Sequence, residues 1–290
     1  MLGPMTLYRL DAAPQLESPI VVAAFDGWVD GGRAGTLAAD QLADGGQAIA
    51  TFDTDRIYDY RARRPTLEII NGKLMSLEWP AMRLVATHVG DRDLLVLTGA
   101  EPDYLWRQLQ TEVVGLAKQL GVVTWVSLGA IPATVPHTRP VPILGTASTA
   151  GLLPEDVPQG PEGELHVPSA LVSVLELAIS QAGIPTVGFF AQVPHYASGA
   201  FPNAAVELLG RLGAFLGTDV PLGDLPKRAL ETRALLDAAV AAEERTRSYV
   251  ERLEAMADER LPAGDELIAD IERFLRDRGG SADEGGGLPN

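Results

Sequence analysis

Four short runs of the chain are apolar almost without interruption: Ile20–Phe25, Leu94–Thr98, Thr124–Leu128 and Thr186–Phe190. A strand with one wet face alternates apolar and polar positions; a run apolar throughout reads as a strand covered on both faces. Between the runs lie longer segments with helical spacing, over Arg33–Leu42, Asp103–Leu120 and Pro168–Ala182, and the last two stop at Gly121 and Gly183, where a C-terminal cap is expected. The alternating strand–helix order predicts an α/β protein, a three-layer α/β/α sandwich with a mostly parallel sheet. One stretch breaks the pattern. Ala48–Tyr60 and Leu67–Trp79 read as extended segments joined by the basic turn Arg61-Ala-Arg-Arg-Pro65, a hairpin or edge insertion.

Past Pro221 the polarity changes. Residues 221–290 hold 26 charged side chains, 16 of them acidic. Leu225–Arg260 reads as one long helix with a seam at Leu235, Ala239, Ala242, Thr246, Tyr249, Leu253 and Met256, the four–three spacing of a paired helix. Leu261-Pro-Ala-Gly264 turns the chain, and Leu267, Ile271, Phe274 and Leu275 give a second helix an apolar side. The expected organisation is a sandwich domain over 1–220, a helical hairpin over 221–278 and a disordered Gly-rich tail over 279–290. The seam is longer than the second helix can cover, so a homo-oligomer is expected, with three copies favoured.

Composition removes several classes of function. With 46% hydrophobic and 21% charged residues, a chain of 290 residues can bury a sizeable core. A net charge of −16 repels phosphate backbones, so neither nucleic acid nor an anionic membrane is an expected partner. The chain has no cysteine, which removes disulfides, thiol nucleophiles, thiolate zinc sites and iron–sulfur clusters. There is no HExxH and no carboxylate-rich set, so no metal and no cofactor is expected. Met1–Leu10 lacks a basic region followed by an apolar run, and no apolar stretch nears the ~20 residues that span a bilayer, so the cytoplasm is the default compartment.

The candidate chemistry lies just after the strand-like runs. Asp26-Gly-Trp-Val-Asp-Gly-Gly32 joins a strand to a helix. It reads either as a tight turn with Asp30 as helix cap or as a ligand loop with Trp28 in a pocket. Glu101, in Gly99-Ala-Glu-Pro102, stands either where α/β proteins place functional groups or simply near a helix start, favouring its dipole. Pro136-His-Thr-Arg-Pro140 and Pro194-His-Tyr196 each follow a strand. In a parallel sheet, Asp26, Trp28, Asp30, Glu101, His137, Arg139, His195 and Tyr196 therefore share one rim. Histidine, arginine and glutamate there suit acid–base work or phosphate binding, whereas prolines beside the histidines equally suit loops that need fixing. Ser127 and Ser148 lie in no GxSxG elbow, which argues against an α/β-hydrolase.

Several of these segments together resemble a known family. Ala24-Phe-Asp-Gly-Trp-Val-Asp-Gly-Gly32, Tyr58-Asp-Tyr60 with Arg64-Pro65, Glu78-Trp-Pro80, Gly99-Ala-Glu-Pro102, Trp106, Leu128-Gly-Ala130, Pro136-His-Thr-Arg-Pro140, Gly160-Pro161 and Val193-Pro-His-Tyr196 look like the bacterial branch of the proteasome assembly chaperone family. So do Tyr249-Val250, Leu253-Glu254 and Glu272-Arg-Phe-Leu-Arg276. The resemblance implies a sandwich similar to nucleoside phosphorylases and related hydrolases but without their catalytic groups, and a protein-binding role with proteasome subunits as partners. The reading that competes with it is a small-molecule enzyme of the phosphorylase or hydrolase type using the histidine rim. Some such chaperones dock through a terminal hydrophobic-Tyr-X tail. The sequence here ends Leu288-Pro-Asn290, so docking through that tail is not expected. Gly160-Pro-Glu-Gly163 lacks the small hydroxyl residue expected after the proline, which argues against a ligand role for that loop.

Overall fold

A computed structural model of the chain describes residues 6–12, 14–160 and 163–259. The strands are β1 (Tyr8–Leu10), β2 (Ile20–Asp26), β3 (Gln47–Phe52), β4 (Thr66–Ile70), β5 (Lys73–Glu78), β6 (Met82–Val89), β7 (Arg92–Ala100), β8 (Thr124–Ala133), β9 (Ile143–Ala147) and β10 (Thr186–Pro194). The helices are α1 (Ala34–Ala43), α2 (Thr54–Ile57), α3 (Trp106–Gln119), α4 (Leu171–Gln181), α5 (Pro202–Leu216), α6 (Leu225–Ala242) and α7 (Glu244–Glu259). All four apolar runs are strands, and each strand continues beyond its run into the loop that follows it.

Eight strands form one mixed sheet in the order β1-β3-β6-β7-β2-β8-β10-β9. Its centre, β7-β2-β8-β10, is parallel throughout. The outer strands pair antiparallel, and five of the eight (β2, β3, β7, β8 and β10) point the same way. Alternate residues of the central strands feed two cores. Val22 and Ala24 of β2, with Val96, Val126 and Phe189, pack under α1 and α5. Val21, Ala23 and Phe25, with Leu95, Leu97 and Trp125, pack under α3 and α4. The three layers follow directly: strands apolar on both faces need helices on both.

Two expectations change. Leu67–Trp79 does not pair with the segment before the basic turn. It folds on itself at Asn71-Gly72, both with positive φ (50° and 78°), giving a separate two-stranded β4–β5 ribbon. Asn-Gly suits that turn because both central residues of a type I′ hairpin turn need positive φ. The single long helix is instead two, broken at Glu243, whose backbone is extended (φ −130°, ψ 117°). Glu243 opens α7: its carbonyl accepts from Arg247 N–H at 3.0 Å and its carboxylate from the Thr246 hydroxyl at 2.7 Å. A straight helix over that length would run on the order of 50 Å, carrying its second half away from the body. Past the bend Val250 and Leu253 are buried, while Leu235, at the other end of the expected seam, is left 72% exposed. The expected second helix (261–278) and the tail lie outside the described residues. Among the described residues no helix is long and apolar enough to cross a membrane.

The proposed boundary near Pro221 carries a prediction. Among the described residues every strand precedes it, although Leu225 adds a buried side chain to the core under α5. A chain ending at Gly217 should therefore keep its far-ultraviolet sheet signal and melt cooperatively, at a lower temperature. An unfolded fragment would make α6 part of the folding unit.

Candidate functional site

The parallel centre brings the ends of β7, β2, β8 and β10, and the loops after them, to one edge of the sheet. All eight candidate residues stand there, but in two groups with different surroundings, and Asp30 lies between them.

Asp30 is 8% exposed. It accepts from Gly35 N–H (2.7 Å), Thr36 N–H (3.2 Å) and the Thr36 hydroxyl (2.6 Å), so it caps the start of α1. Burial raises its pKa to about 6, against the pull of those three donors. The glycines beside it are held by protein rather than open to a ligand. Gly32 has φ +61°, and a Cβ there would meet the Phe201 Cβ at 2.6 Å.

On the β2 and β7 side, Glu101 accepts from Leu171 N–H at 2.6 Å, so its carboxylate caps α4 from another strand end. A Cβ on Gly27 would meet that carboxylate at 2.6 Å, which explains glycine after Asp26. Trp28 packs half-buried against the core under α3 and α4. Asp26 is largely exposed, with Arg63 at 3.9 Å as a long ion pair.

On the β8 and β10 side, the two C-terminal helices reach the rim and cover His137, while His195 stays exposed. The His137 side chain is 1% exposed. Its backbone N–H donates to the Tyr196 hydroxyl (2.8 Å), and that hydroxyl donates its own proton to Nδ1 (2.7 Å). Nε2 faces the Asp237 carboxylate of α6 at 3.1 Å. The pattern assigns one neutral tautomer, with the ring proton on Nε2. Burial holds the His137 pKa below its ordinary value, outweighing Asp237. Arg233 ties the corner, donating to Asp237 at 3.2 Å and to the His137 carbonyl at 3.3 Å. Arg139 grips Asp258 of α7 through two parallel bonds of 2.7 Å, and the Thr138 hydroxyl donates to Glu254. His195 donates from Nδ1 to the Ala133 carbonyl (3.2 Å) and receives the Tyr249 hydroxyl at Nε2 (3.3 Å). Its ring stands edge-on to those of Tyr196 and Tyr249.

Sequence reasoning found the rim loops but missed what covers them: Arg233, Asp237, Glu254 and Asp258. Tyr249 and Leu253 were visible as seam residues, though not as partners of these loops. Nothing local marks the others, which lie about a hundred positions from the groups they bind (His137 and Asp237 are 100 apart). The hydroxyls that meet the rim histidines are the phenols of Tyr196 and Tyr249. Among the described residues no set of three or more His, Asp or Glu could hold a metal.

Two predictions follow from these surroundings. The folded-state pKa of Asp30 lies above the ordinary 3.8, so its contribution to stability is complete below pH 3.8 and is lost as the pH rises through about 6. Asp30→Asn keeps an acceptor for the helix start and removes the buried charge. Relative to the parent it should gain about 2–3 kcal/mol between about pH 4.5 and 7.5 in paired urea titrations, whereas Asp30→Ala should cost about 1–2 kcal/mol through loss of the cap. His137 behaves oppositely. Its depressed pKa means its contribution is complete above pH 6.5 and is lost as the pH falls through the lower folded-state value. Protease sensitivity around Glu243 should therefore rise on acidification. His137→Gln should blunt that rise and cost roughly 1 kcal/mol for each hydrogen bond not remade.

Comparison with known proteins agrees with this architecture. The model of the PAC2 family matches residues 24–240. A Mycobacterium tuberculosis protein of unknown function is 32% identical, with a TM-score of 0.86 over 93% of this chain and 97% of its own. A proteasome-assembly chaperone homologue from the same organism is 37% identical (TM-score 0.71, 80% of this chain and 99% of its own). A PAC2 family protein from Streptomyces avermitilis is 35% identical (TM-score 0.70, 80% and 99%). No curated protein matches the chain by sequence. With its mixed α/β sheet, its rim and a family match that runs through most of the sandwich and into α6, the chain belongs to the PAC2 family.

Proposed function

We propose that this chain is a protein-binding, assembly-chaperone-like module without catalysis, acting in the cytoplasm, with proteasome subunits as its partner class. The observation that carries this reading is the fate of the rim. An enzyme of this fold would present its acid–base groups at the carboxyl ends of the central strands, open to substrate. Here the ring nitrogens of both rim histidines are taken by the chain's own groups, Tyr196 and Asp237 for His137, Ala133 and Tyr249 for His195. Glu101 and Asp30 are each committed to a helix start, and Asp26, the last residue of β2, has Arg63 at 3.9 Å. A rim so engaged suits a rigid body that presents surface to other proteins. The 37% identity to a proteasome-assembly chaperone homologue supports the same direction.

Native mass spectrometry of the protein purified from its own cells tests this. A polypeptide partner at fixed stoichiometry, retained in a His137→Gln, His195→Gln double variant, is the expected result. A bound small molecule at full occupancy in the parent, absent from the double variant, would replace this reading with an enzyme or metabolite-binding one.

A further inference from the structure

α7 sits on the rim in the manner of a bound peptide. Its inward positions Thr246, Tyr249, Val250, Leu253 and Ala257 fall at i, i+3, i+4, i+7 and i+11, the anchor spacing of an amphipathic helix laid in a groove, while Glu251, Arg252 and Ala255 face water. Only Val250 and Leu253 are fully buried, and neither belongs to either core of the sandwich. Much of what holds the helix is polar. The Thr138 hydroxyl donates to Glu254, Arg139 binds both oxygens of Asp258 and lies 3.5 Å from Glu254, and the Tyr249 hydroxyl meets His195. Among the described residues, the side chains of Thr138 and Arg139 have no polar partner outside α7. Ion pairs exposed to this degree contribute little and weaken with salt. The backbone that joins α6 to α7 is already extended at Glu243. α7 can therefore leave without opening either core, while Asp237 of α6 keeps its bond to His137.

We infer that the surface under α7 is a docking site for an acidic amphipathic helix of a partner protein, and that α7 occupies it as the chain's own stand-in until that helix displaces it. The stand-in shows what the surface selects. It offers two apolar side chains three positions apart, a carboxylate directly after the second, and another carboxylate four positions further on: Val250, Leu253, Glu254 and Asp258. Arg139 sets the last requirement, because a guanidinium fork pairs best with both oxygens of one carboxylate. A short tether gives α7 an effective concentration on the order of millimolar, so a partner helix at micromolar concentration displaces it only through a better fit or when the polar latch is loosened. This assignment rests on the protein-binding reading above and gives that partner a chemistry.

Fluorescence anisotropy of the full chain with a labelled peptide of Glu244–Glu259 tests it. A latch variant, Glu254→Gln with Asp258→Asn, keeps Val250 and Leu253 but loosens α7. It should bind the peptide roughly tenfold more tightly than the parent chain does, and more weakly as salt rises. Adding Arg139→Gln to the latch variant should abolish that binding while the circular dichroism signal of the sheet is kept. The polypeptide partner found by native mass spectrometry should be released by excess peptide. No binding, equal affinity for parent and latch variant, binding that survives Arg139→Gln, or a partner retained in excess peptide would each overturn the inference and leave the protein-binding reading standing. An assembly of this chain alone that the peptide breaks apart would also overturn it, by making the occupant a second copy. A native preparation without any polypeptide partner would overturn both.

Discussion

The buried imidazole of His137 has one way to be satisfied. Its side chain is 1% exposed, so each ring nitrogen needs a hydrogen-bond partner, and a buried polar group without one costs ~1–3 kcal/mol. Tyr196 supplies one partner from the end of β10 and Asp237 the other from α6. Those two bonds join the parallel centre of the sheet to the charged C-terminal helices. Much else follows from the junction. The Tyr196 hydroxyl is fixed by serving both the ring and the backbone of His137. Arg233 is held between Asp237 and the His137 carbonyl. α7 must bend back at Glu243 for Val250 and Leu253 to be buried and for Asp258 to meet Arg139.

On the proposed reading, the same junction takes up the edge where an enzyme built on this kind of sheet would bind its substrate. In a doubly wound sheet the strand ends are where binding sites form, because loops there gather side chains from several strands. The loops gather here as well, but the polar groups are turned to architecture. Two carboxylates cap helices, one locally and one at long range: Asp30 closes the start of α1 across the Gly31–Arg33 turn, and Glu101 reaches α4 some seventy positions away. Segments that carry the resemblance to the family show the same use. The Tyr58 hydroxyl donates to the Ala100 carbonyl at 2.7 Å, and the Trp106 indole donates to the Pro102 carbonyl at 2.6 Å, both pinning the end of β7.

How much of this was legible in the sequence depended on the range of the interaction. The four central strands were legible because burial on both faces leaves an unbroken apolar run. Their common rim was legible because parallel direction follows from strand–helix alternation. The β4–β5 ribbon carried a local signal, Asn71-Gly72, that was masked by the more conspicuous arginines of the 61–65 turn. The break at Glu243 was hidden by the Ala-rich sequence before it and by the continued seam spacing after it, and only the need of α7 to reach Arg139 and Tyr196 decides against continuity. The cover over the rim had no local signal at all. Arg139 and Asp258 are 119 positions apart, and nothing in either neighbourhood names the other.

The most direct measurement of this account is the protonation state of His137 read by nitrogen-15 ring spectra of the intact chain. A sealed junction predicts a single neutral tautomer, protonated on Nε2, that does not titrate at the ordinary value of 6.5 and begins to take up a proton only as the C-terminal helices release. A ring that titrates freely near 6.5 with both tautomers present, while α6 and α7 stay docked, would show the rim open to solvent and contradict the account.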